Sequence, residues 1–409
     1  MNKKVIICDD DSKRIEGWKS QVEEMLKLDK SGASWDVETM TGKDLANAVK
    51  GLTTLEQFTK SNLPDALLDC DMKSEVDKFD NADLVILDSD LSPRLSKVRT
   101  DEDKTVSDAL RNQWGDLIAR LIRTHTDAGY IVVANQFSRS KQHFDLTMME
   151  ASSTFADLHI SAEELSTPAL WTGDSTSENE YNSWAWPILS KAGDLVRAVR
   201  KSIEIKDKVL DKLDFDKYEL TERQLDIFGE TDPKDATFQD LAFSSLGFGE
   251  KTLSGPRSKK QIKRMAASVV YRWLFKVVLP AQNVVSDVPH LSVRFPVLTD
   301  ADDNKQKGST RKSLSKGDPL LNSIIGAWSP VSNYVGRPVY NLNKIRSMVP
   351  QLIEKGCRTE TLVFAEDTSE LIPESDATQF MTDVPGSYAR RYVRGNLPKV
   401  TYHPVVRIL

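Results

Sequence analysis

The chain has 409 residues, enough for two or three domains with sizeable hydrophobic cores. Its hydrophobic fraction of 39% and charged fraction of 28% argue against an intrinsically disordered chain, and its net charge of −6 gives no general attraction to nucleic acid. The cysteines, Cys8, Cys70 and Cys357, are too far apart for a disulfide framework or a cysteine metal site. Because the N-terminal apolar run at 5–8 is too short for a signal peptide and no run approaches a membrane span, we expect a cytoplasmic protein without membrane contact.

Short strands alternate with helices through the first half of the chain. Apolar runs predict strands over 5–8, 35–40, 84–87, 130–134 and 155–160. Amphipathic spacing predicts helices over 12–28, 43–60, 105–126, 141–153 and 184–203, with polar insertions at 61–80, 92–104 and 161–183. This alternation is typical of an α/β fold, and we expect a doubly wound, five-stranded parallel sheet with right-handed crossovers.

Acidic residues follow the first and third predicted strands directly: Asp9 and Asp10 end the first, and Asp88 ends the third. Because functional groups of open α/β sheets lie beyond the carboxyl ends of the strands, these carboxylates meet if the two strands are neighbours. Three adjacent carboxylates repel one another, and a divalent cation would remove that repulsion. Such ligands suit Mg²⁺, and the chemistry indicated is phosphoryl transfer onto a carboxylate. The alternative is that Asp88 only caps a turn.

These two motifs resemble those of the response-regulator receiver domain, over residues 1 to about 200. Val-Ile-Ile-Cys-Asp-Asp-Asp resembles the family's first strand with its metal-binding acid pair, which maps onto Asp9 and Asp10. Asp-Leu-Val-Ile-Leu-Asp-Ser-Asp-Leu-Ser-Pro resembles the third strand, with the phosphoacceptor at Asp88. The resemblance implies that Asp90 contributes its backbone carbonyl to the metal, and Gly115-Asp116-Leu117-Ile118 is similar to the start of the family's third helix. It further implies phosphorylation by a histidine kinase or a phosphotransfer protein.

Two positions depart from the family's pattern. Ala134 ends the fourth predicted strand, where the family has a Ser or Thr that bonds the phosphoryl group. No lysine follows Ile160, where the family has a Lys that pairs with the phosphate. Residues that could substitute are Asn135, Ser138, Lys141 and Lys191. The alternative is a phosphorylation-independent pseudo-receiver that serves as an assembly module; we favour the acceptor because a pseudo-receiver would have no need for all three acids.

The second half of the chain carries fewer recognisable features. Apolar residues Ile205, Val209 and Leu213 continue the helical spacing of the preceding helix, so a receiver-like domain over 1–203 is followed by a predicted connector helix over 204–228. That helix is either solvated or the seam of a homodimer. A second, uncharacterised α+β output domain is expected over 229–409.

A basic segment spans 257–276. Its basic residues are Arg257, Lys259, Lys260, Lys263, Arg264, Arg272 and Lys276. One interpretation is a helix that contacts a phosphate backbone. We favour an amphipathic core helix, because 271–279 is too apolar to be exposed. The stretch at 220–228 is similar to the opening helix of some response-regulator DNA-binding domains, but no second and third helices follow at the required spacing.

The sequence therefore predicts a two-component-type signalling protein, an atypical response regulator that accepts a phosphoryl group on Asp88 with Mg²⁺ and passes the signal to a C-terminal binding or scaffold domain. Three alternatives stay open: the pseudo-receiver assembly module, a DNA-binding regulator that uses 257–276, and an effector enzyme with an unrecognised C-terminal active site.

Overall fold

The computed structural model of the chain describes 2–29, 32–57, 68–92, 100–135, 155–166, 168–172, 188–244, 257–281, 283–286, 291, 295, 325–335, 339–353, 362–365, 370–381 and 390–394. The helix predicted over 141–153 lies outside the described residues, and so do Ser138 and Lys141. Within the described ranges, no helix combines the length and the apolar character that crossing a bilayer requires.

A five-stranded parallel sheet is the centre of the N-terminal part. Its strands are β1 (Asn2–Cys8), β2 (Ser34–Met40), β3 (Leu84–Asp88), β4 (Tyr130–Asn135) and β5 (Leu158–Ser161). They lie in the order β2-β1-β3-β4-β5, and every pairing is parallel. All of β3 is buried, as expected for a continuous apolar strand with helices on both faces. The α/β class and the five-stranded parallel sheet are confirmed.

Helices cover both faces of this sheet. They are α1 (Ser12–Leu26), α2 (Gly42–Gln57), α3 (Cys70–Asp80), α4 (Asp101–Leu110), α5 (Gly115–His125), α6 (Pro168–Thr172) and α7 (Leu189–Ser202). Successive side chains of a strand point to opposite faces. Val5 accordingly packs in one hydrophobic core with α1 and α7, and Ile6 packs in a second core with α2 and α5.

The helix predicted over 105–126 is wrong, because the structure has two helices there. Asn112 adopts a left-handed backbone with φ 58° between α4 and α5. The chain then contacts the loop after β3, where the amide of Gly115 donates to the carbonyl of Ser89 at 3.0 Å.

The polar insertion predicted over 61–80 contains α3, whose N-terminal amides are capped by the Asp69 side chain.

The single connector helix predicted over 204–228 is also wrong. Ile203 takes an extended backbone with φ −94° and ψ 146°, which ends α7. Two short helices follow, α8 (Val209–Leu213) and α9 (Glu222–Leu225), and a left-handed Asp214 with φ 58° ends the first. The apolar residues that suggested one long helix are buried in the core, so their spacing reflects packing and not an exposed seam.

The basic segment forms a core helix, as favoured from its apolar residues. After α10 (Phe238–Ala242), α11 (Lys259–Trp273) packs against α5, α7 and α10. It continues through a π-helical turn, Leu274–Val278, into α12 (Leu279–Ala281). The rings of Tyr130 and Tyr271 meet edge to face at 5.9 Å between centroids. One hydrophobic core therefore extends from the sheet into the second half of the chain.

Further strands and helices follow. An antiparallel pair joins β6 (Val285–Ser286) to β7 (Tyr340–Asn341), near α13 (Ser332–Val335) and α14 (Leu342–Ile353). A separate four-stranded sheet has the order β10-β11-β8-β9. Its strands are β8 (Leu362–Ala365), β9 (Glu370–Pro373), β10 (Thr378–Met381) and β11 (Arg390–Val393). The division of the chain into domains at 203 and 228 stays a prediction.

Candidate functional site at the carboxyl edge of the sheet

The sheet order brings the three predicted acids together. β1 and β3 are adjacent, and Cys8 pairs with Leu87, so the residues that follow them lie side by side. Asp9 is fully buried and Asp88 is 4% exposed, whereas Asp10 is half-buried. One carboxylate oxygen of each of the three lies within 4.8 Å of the others. We refer to Asp9, Asp10 and Asp88 as the acid cluster.

The turn after β1 fixes the direction of the first two acids. The Asp9 carboxylate accepts a hydrogen bond from the amide of Asp11 at 2.7 Å, which closes the turn. The Asp11 side chain in turn accepts from the amide of Lys13 at 3.0 Å and caps α1. Only three residues separate the end of β1 at Cys8 from the start of α1 at Ser12, so the acid pair remains at the sheet edge.

Arg14, in the first turn of α1, lies at the centre of the acid cluster. Its Nε donates to Asp9 Oδ2 at 2.5 Å. Its Nη2 donates to Asp9 Oδ1 at 2.5 Å, to Asp10 Oδ1 at 2.7 Å and to Asp88 Oδ2 at 2.6 Å. One guanidinium thus contacts all three acids. Our reading of the sequence missed this residue, although an arginine four positions after an acid at a helix start is a visible i, i+4 pair.

The charges of the site are unbalanced. Burial raises the pKa of Asp88 from 3.8 to about 7, the charge of Asp9 adds to that rise, and Arg14 opposes it. Burial lowers the pKa of Arg14, but the hydrogen bond to Asp9 and the charges of the cluster outweigh it, so the pKa lies above its ordinary value. Arg14 is therefore always charged, and its one positive charge is shared by three acids.

The donor set of the acid cluster fits a hard divalent cation. Three carboxylate oxygens within 4.8 Å of one another are ligands that Mg²⁺ prefers. The structure therefore contains a buried acidic cluster able to bind a metal ion, while the choice of Mg²⁺ stays a prediction. The guanidinium of Arg14 contacts the same groups that a metal ion would use.

The loop after β3 carries Asp90 and meets the start of α5. Asp90 pairs with Trp114 through an isolated antiparallel bridge, and its side chain accepts from the amide of Ser92 at 3.0 Å. A Cβ on Gly115 would lie 2.2 Å from the carbonyl oxygen of Asp88. Only glycine therefore fits between α5 and the Asp88 backbone. The metal-binding role of the Asp90 carbonyl stays a prediction.

The two departures from the family's pattern have definite places in the sheet. Ala134 pairs directly with Asp88 and is fully buried, so a methyl group stands where the family has a hydroxyl. Ser161 follows Ile160 and pairs with Asn135 at the same edge. Asn135 is thus one residue beyond the partner of Asp88, and its side chain is half-buried.

Lys191 is not near the acid cluster, so it does not replace the absent lysine. It lies in the first turn of α7, two residues before Gly193, whose Cβ would meet the carbonyl of Asp83 at 2.3 Å. Asp83 precedes β3, whereas Asp88 ends it. At about 3.3 Å per residue, roughly 16 Å separates the two ends of the strand.

Most of the basic residues before and along α11 are paired with acids of the chain. Arg257 donates through two nitrogens to Glu56, at 2.9 and 2.7 Å, and His125 contacts the same carboxylate at 2.8 Å. Lys260 and Arg264 reach Asp127 at 2.6 and 2.7 Å. Lys259 and Lys263 are paired with Glu204. These basic side chains therefore have acidic partners within the chain, and whether they contact nucleic acid stays a prediction.

Comparison with known proteins adds no family to this description. No protein-family model matches the chain, and no curated protein matches it significantly. The five-stranded parallel sheet and its helices are compatible with a receiver-like fold.

Proposed function

We propose that the chain is a receiver-type signalling protein that accepts a phosphoryl group on Asp88, with a divalent cation held by the acid cluster. The observation that carries this proposal is the adjacency of β1 and β3, which sets the Asp88 carboxylate beside the acid pair at the carboxyl edge of a parallel sheet. Ligands of open α/β sheets bind at this edge.

The chemistry requires one bond to form and one to break. A carboxylate oxygen of Asp88 attacks phosphorus, and the bond between phosphorus and the donor's leaving atom breaks, with its electron pair on the leaving group. The donor is a phosphohistidine of a kinase or phosphotransfer protein, or a small acyl phosphate. The bound cation supplies positive charge that offsets the phosphoryl oxygens. Only the ionised carboxylate is a nucleophile, and a bound cation would favour that form of Asp88.

A continuous path links the acceptor to the second half of the chain. The start of α5 contacts the Asp88 carbonyl through Gly115. Beyond the end of α5, Asp127 bonds the Arg264 side chain of α11 at 2.7 Å. A displacement at Asp88 that moves α5 would therefore also shift α11. This supports the C-terminal half as the output region, with a binding or scaffold role.

A phosphorylation-independent assembly module is the second candidate. It is favoured by Arg14, which pairs with all three acids, and by Ala134, which removes the usual hydroxyl. In that case the acid cluster would stabilise the fold through its ion pairs with Arg14. The two candidates differ in whether Asp88 ever reacts.

The test is incubation of the full chain with acetyl phosphate and Mg²⁺, followed by intact-mass measurement. We expect the mass of one phosphoryl group to be added to the wild type and to Asp44→Asn, a matched control at an exposed acid. Asp88→Asn should gain none. Absence of the adduct from all three proteins, or its presence in Asp88→Asn, would remove Asp88 as acceptor and leave the assembly module.

A further inference from the structure

Arg14 and a divalent cation cannot occupy the acid cluster together. The single nitrogen Nη2 is within 2.7 Å of oxygens from Asp9, Asp10 and Asp88. A metal ion bound by the same three carboxylates would meet that nitrogen at close range. Two positive groups at this separation repel, and they would compete for the same lone pairs.

Neither cation satisfies the cluster completely. With Arg14 in place, three carboxylates share the one positive charge of its guanidinium, so Arg14 offsets only part of their negative charge. A divalent ion would neutralise more of it. The arginine therefore stabilises the cluster without making it unattractive to a stronger cation.

The Arg14 side chain is more exposed to solvent than the three acids that it contacts. Its side chain is 21% exposed, whereas those of Asp9, Asp10 and Asp88 are 0%, 7% and 5% exposed. It lies in the first turn of α1 and is the most exposed of the four side chains. Rotation of one side chain would expose the cluster, and no strand or helix needs to move.

We propose that Arg14 is a competing internal cation, which holds the acid cluster in the resting state and must be displaced before a divalent cation binds. This inference rests on the proposed function, since it concerns the cation of the same site. Its consequence is that the apparent affinity for the cation is the intrinsic affinity reduced by the fraction of molecules whose Arg14 has left the cluster. Loading with metal, and with it phosphoryl transfer, becomes conditional on Arg14.

The test uses Mn²⁺ as the probe on the full chain, with free Mn²⁺ measured by electron paramagnetic resonance. We expect Arg14→Gln to bind Mn²⁺ at least ~10-fold more tightly than the wild type, because the competing state is removed. Lys13→Gln removes the same charge from the neighbouring exposed position and should leave the affinity within about twofold. Asp10→Asn should weaken binding in both the wild type and Arg14→Gln.

The outcomes separate this inference from the proposed function. Equal Mn²⁺ affinity in the wild type and Arg14→Gln, abolished by Asp10→Asn, would overturn the competition and leave the cation site intact. No binding by either folded protein would overturn both. If Arg14→Gln did not fold, the wild type alone decides: saturating Mg²⁺ should shift the Nε–H resonance of Arg14, which is bonded to Asp9 at 2.5 Å, and an unchanged resonance would contradict displacement.

Discussion

A cluster of acidic and basic side chains lies beside each end of α5. In the described part of the chain, acids outnumber bases at the start of α5, and bases outnumber acids beyond its end. At its start, three acids share one arginine. Beyond its end, two acids are surrounded by a larger number of basic side chains. Those acids are Glu56 and Asp127, and their partners are Arg120, His125, Arg200, Arg257, Lys260 and Arg264.

The two clusters shift the pKa values of their acids in opposite directions. Burial raises the pKa of Asp88 to about 7. Burial also acts to raise the pKa of Glu56 and of Asp127, but hydrogen bonds from His125 and from Arg264 respectively help to lower both well below the usual range. Acids with excess cations are already satisfied and hold α2, α5 and α11 together. The acids at the start of α5 share one guanidinium, so this is where we place the proposed function.

The largest effect should follow removal of Arg14, which bonds all three acids of the acid cluster. Arg14→Gln removes the guanidinium that bonds all three carboxylates, and we expect a loss of about 3–5 kcal/mol in the free energy of unfolding at pH 8 in EDTA. Urea denaturation measures it. Lys13→Gln should change stability by less than about 0.5 kcal/mol. Similar values for the two variants would show that Arg14 does not neutralise the cluster.

Removal of one acid from the acid cluster should raise the free energy of unfolding, whereas removal of Arg14 should lower it. The pKa of Asp88 is about 7 in the folded chain and near 3.8 when unfolded, so the folded state binds a proton that the unfolded state releases between these values. The ionisation of Asp88 should therefore lower the stability of the wild type as pH rises from about 4 to 7. Asp88→Asn lacks this loss and should be more stable by on the order of 2–4 kcal/mol at pH 8, measured by urea denaturation in EDTA. Parallel pH profiles of the two proteins would contradict the raised pKa.

A methyl group at the junction of α5 and the acid cluster should disturb both. Gly115→Ala places a carbon 2.2 Å from the Asp88 carbonyl, and we expect a loss of about 2–3 kcal/mol, because a backbone atom has to shift. Gly17→Ala, with no atom within 4 Å, is the control and should stabilise α1 by about 0.5–1 kcal/mol. Thermal unfolding and acetyl phosphate labelling measure the two consequences. Wild-type labelling by Gly115→Ala would separate α5 from the acceptor.

The smallest effect should come from the cation-rich end. Arg264→Met removes a buried donor to Asp127, but Lys260 and Arg200 remain, so we expect a loss of about 1.5 kcal/mol. Lys260→Met removes a 66% exposed partner of the same carboxylate and should cost less than about 0.5 kcal/mol. Chemical denaturation compares them. A loss from Arg264→Met as large as that from Arg14→Gln would contradict the difference between the two ends.

The sequence predicted what depends on local pattern. The apolar runs before Asp9 and Asp88 predicted strands of a parallel sheet, whereas the adjacency of these two strands was left as a condition that the structure meets. The break between α4 and α5 was missed because it depends on Asn112 in a left-handed conformation, which polar residues adopt without a distinct signature. The position of Lys191 depends on the path of α7 past Asp83, which no spacing reveals.

Arg14 was missed as a site residue for a different reason. Arg14 stands four residues after Asp10 and was visible as a helix-start pair, but an i, i+4 pair is usually an exposed one. Only the burial of Asp9 and the arrival of Asp88 from β3 convert it into the centre of a cluster. Tertiary structure, and not the residue's own position, gives Arg14 its role.

The central claim is that Asp88 holds a phosphoryl group in a cation-loaded acid cluster. It is tested most directly by ¹⁹F nuclear magnetic resonance of the full chain with Mg²⁺ and beryllofluoride, which mimics a phosphoryl group on a carboxylate. We expect bound fluoride resonances for the wild type that disappear in Asp88→Asn and on removal of Mg²⁺. A wild-type spectrum with free fluoride species only, or bound resonances that persist in Asp88→Asn, would contradict it.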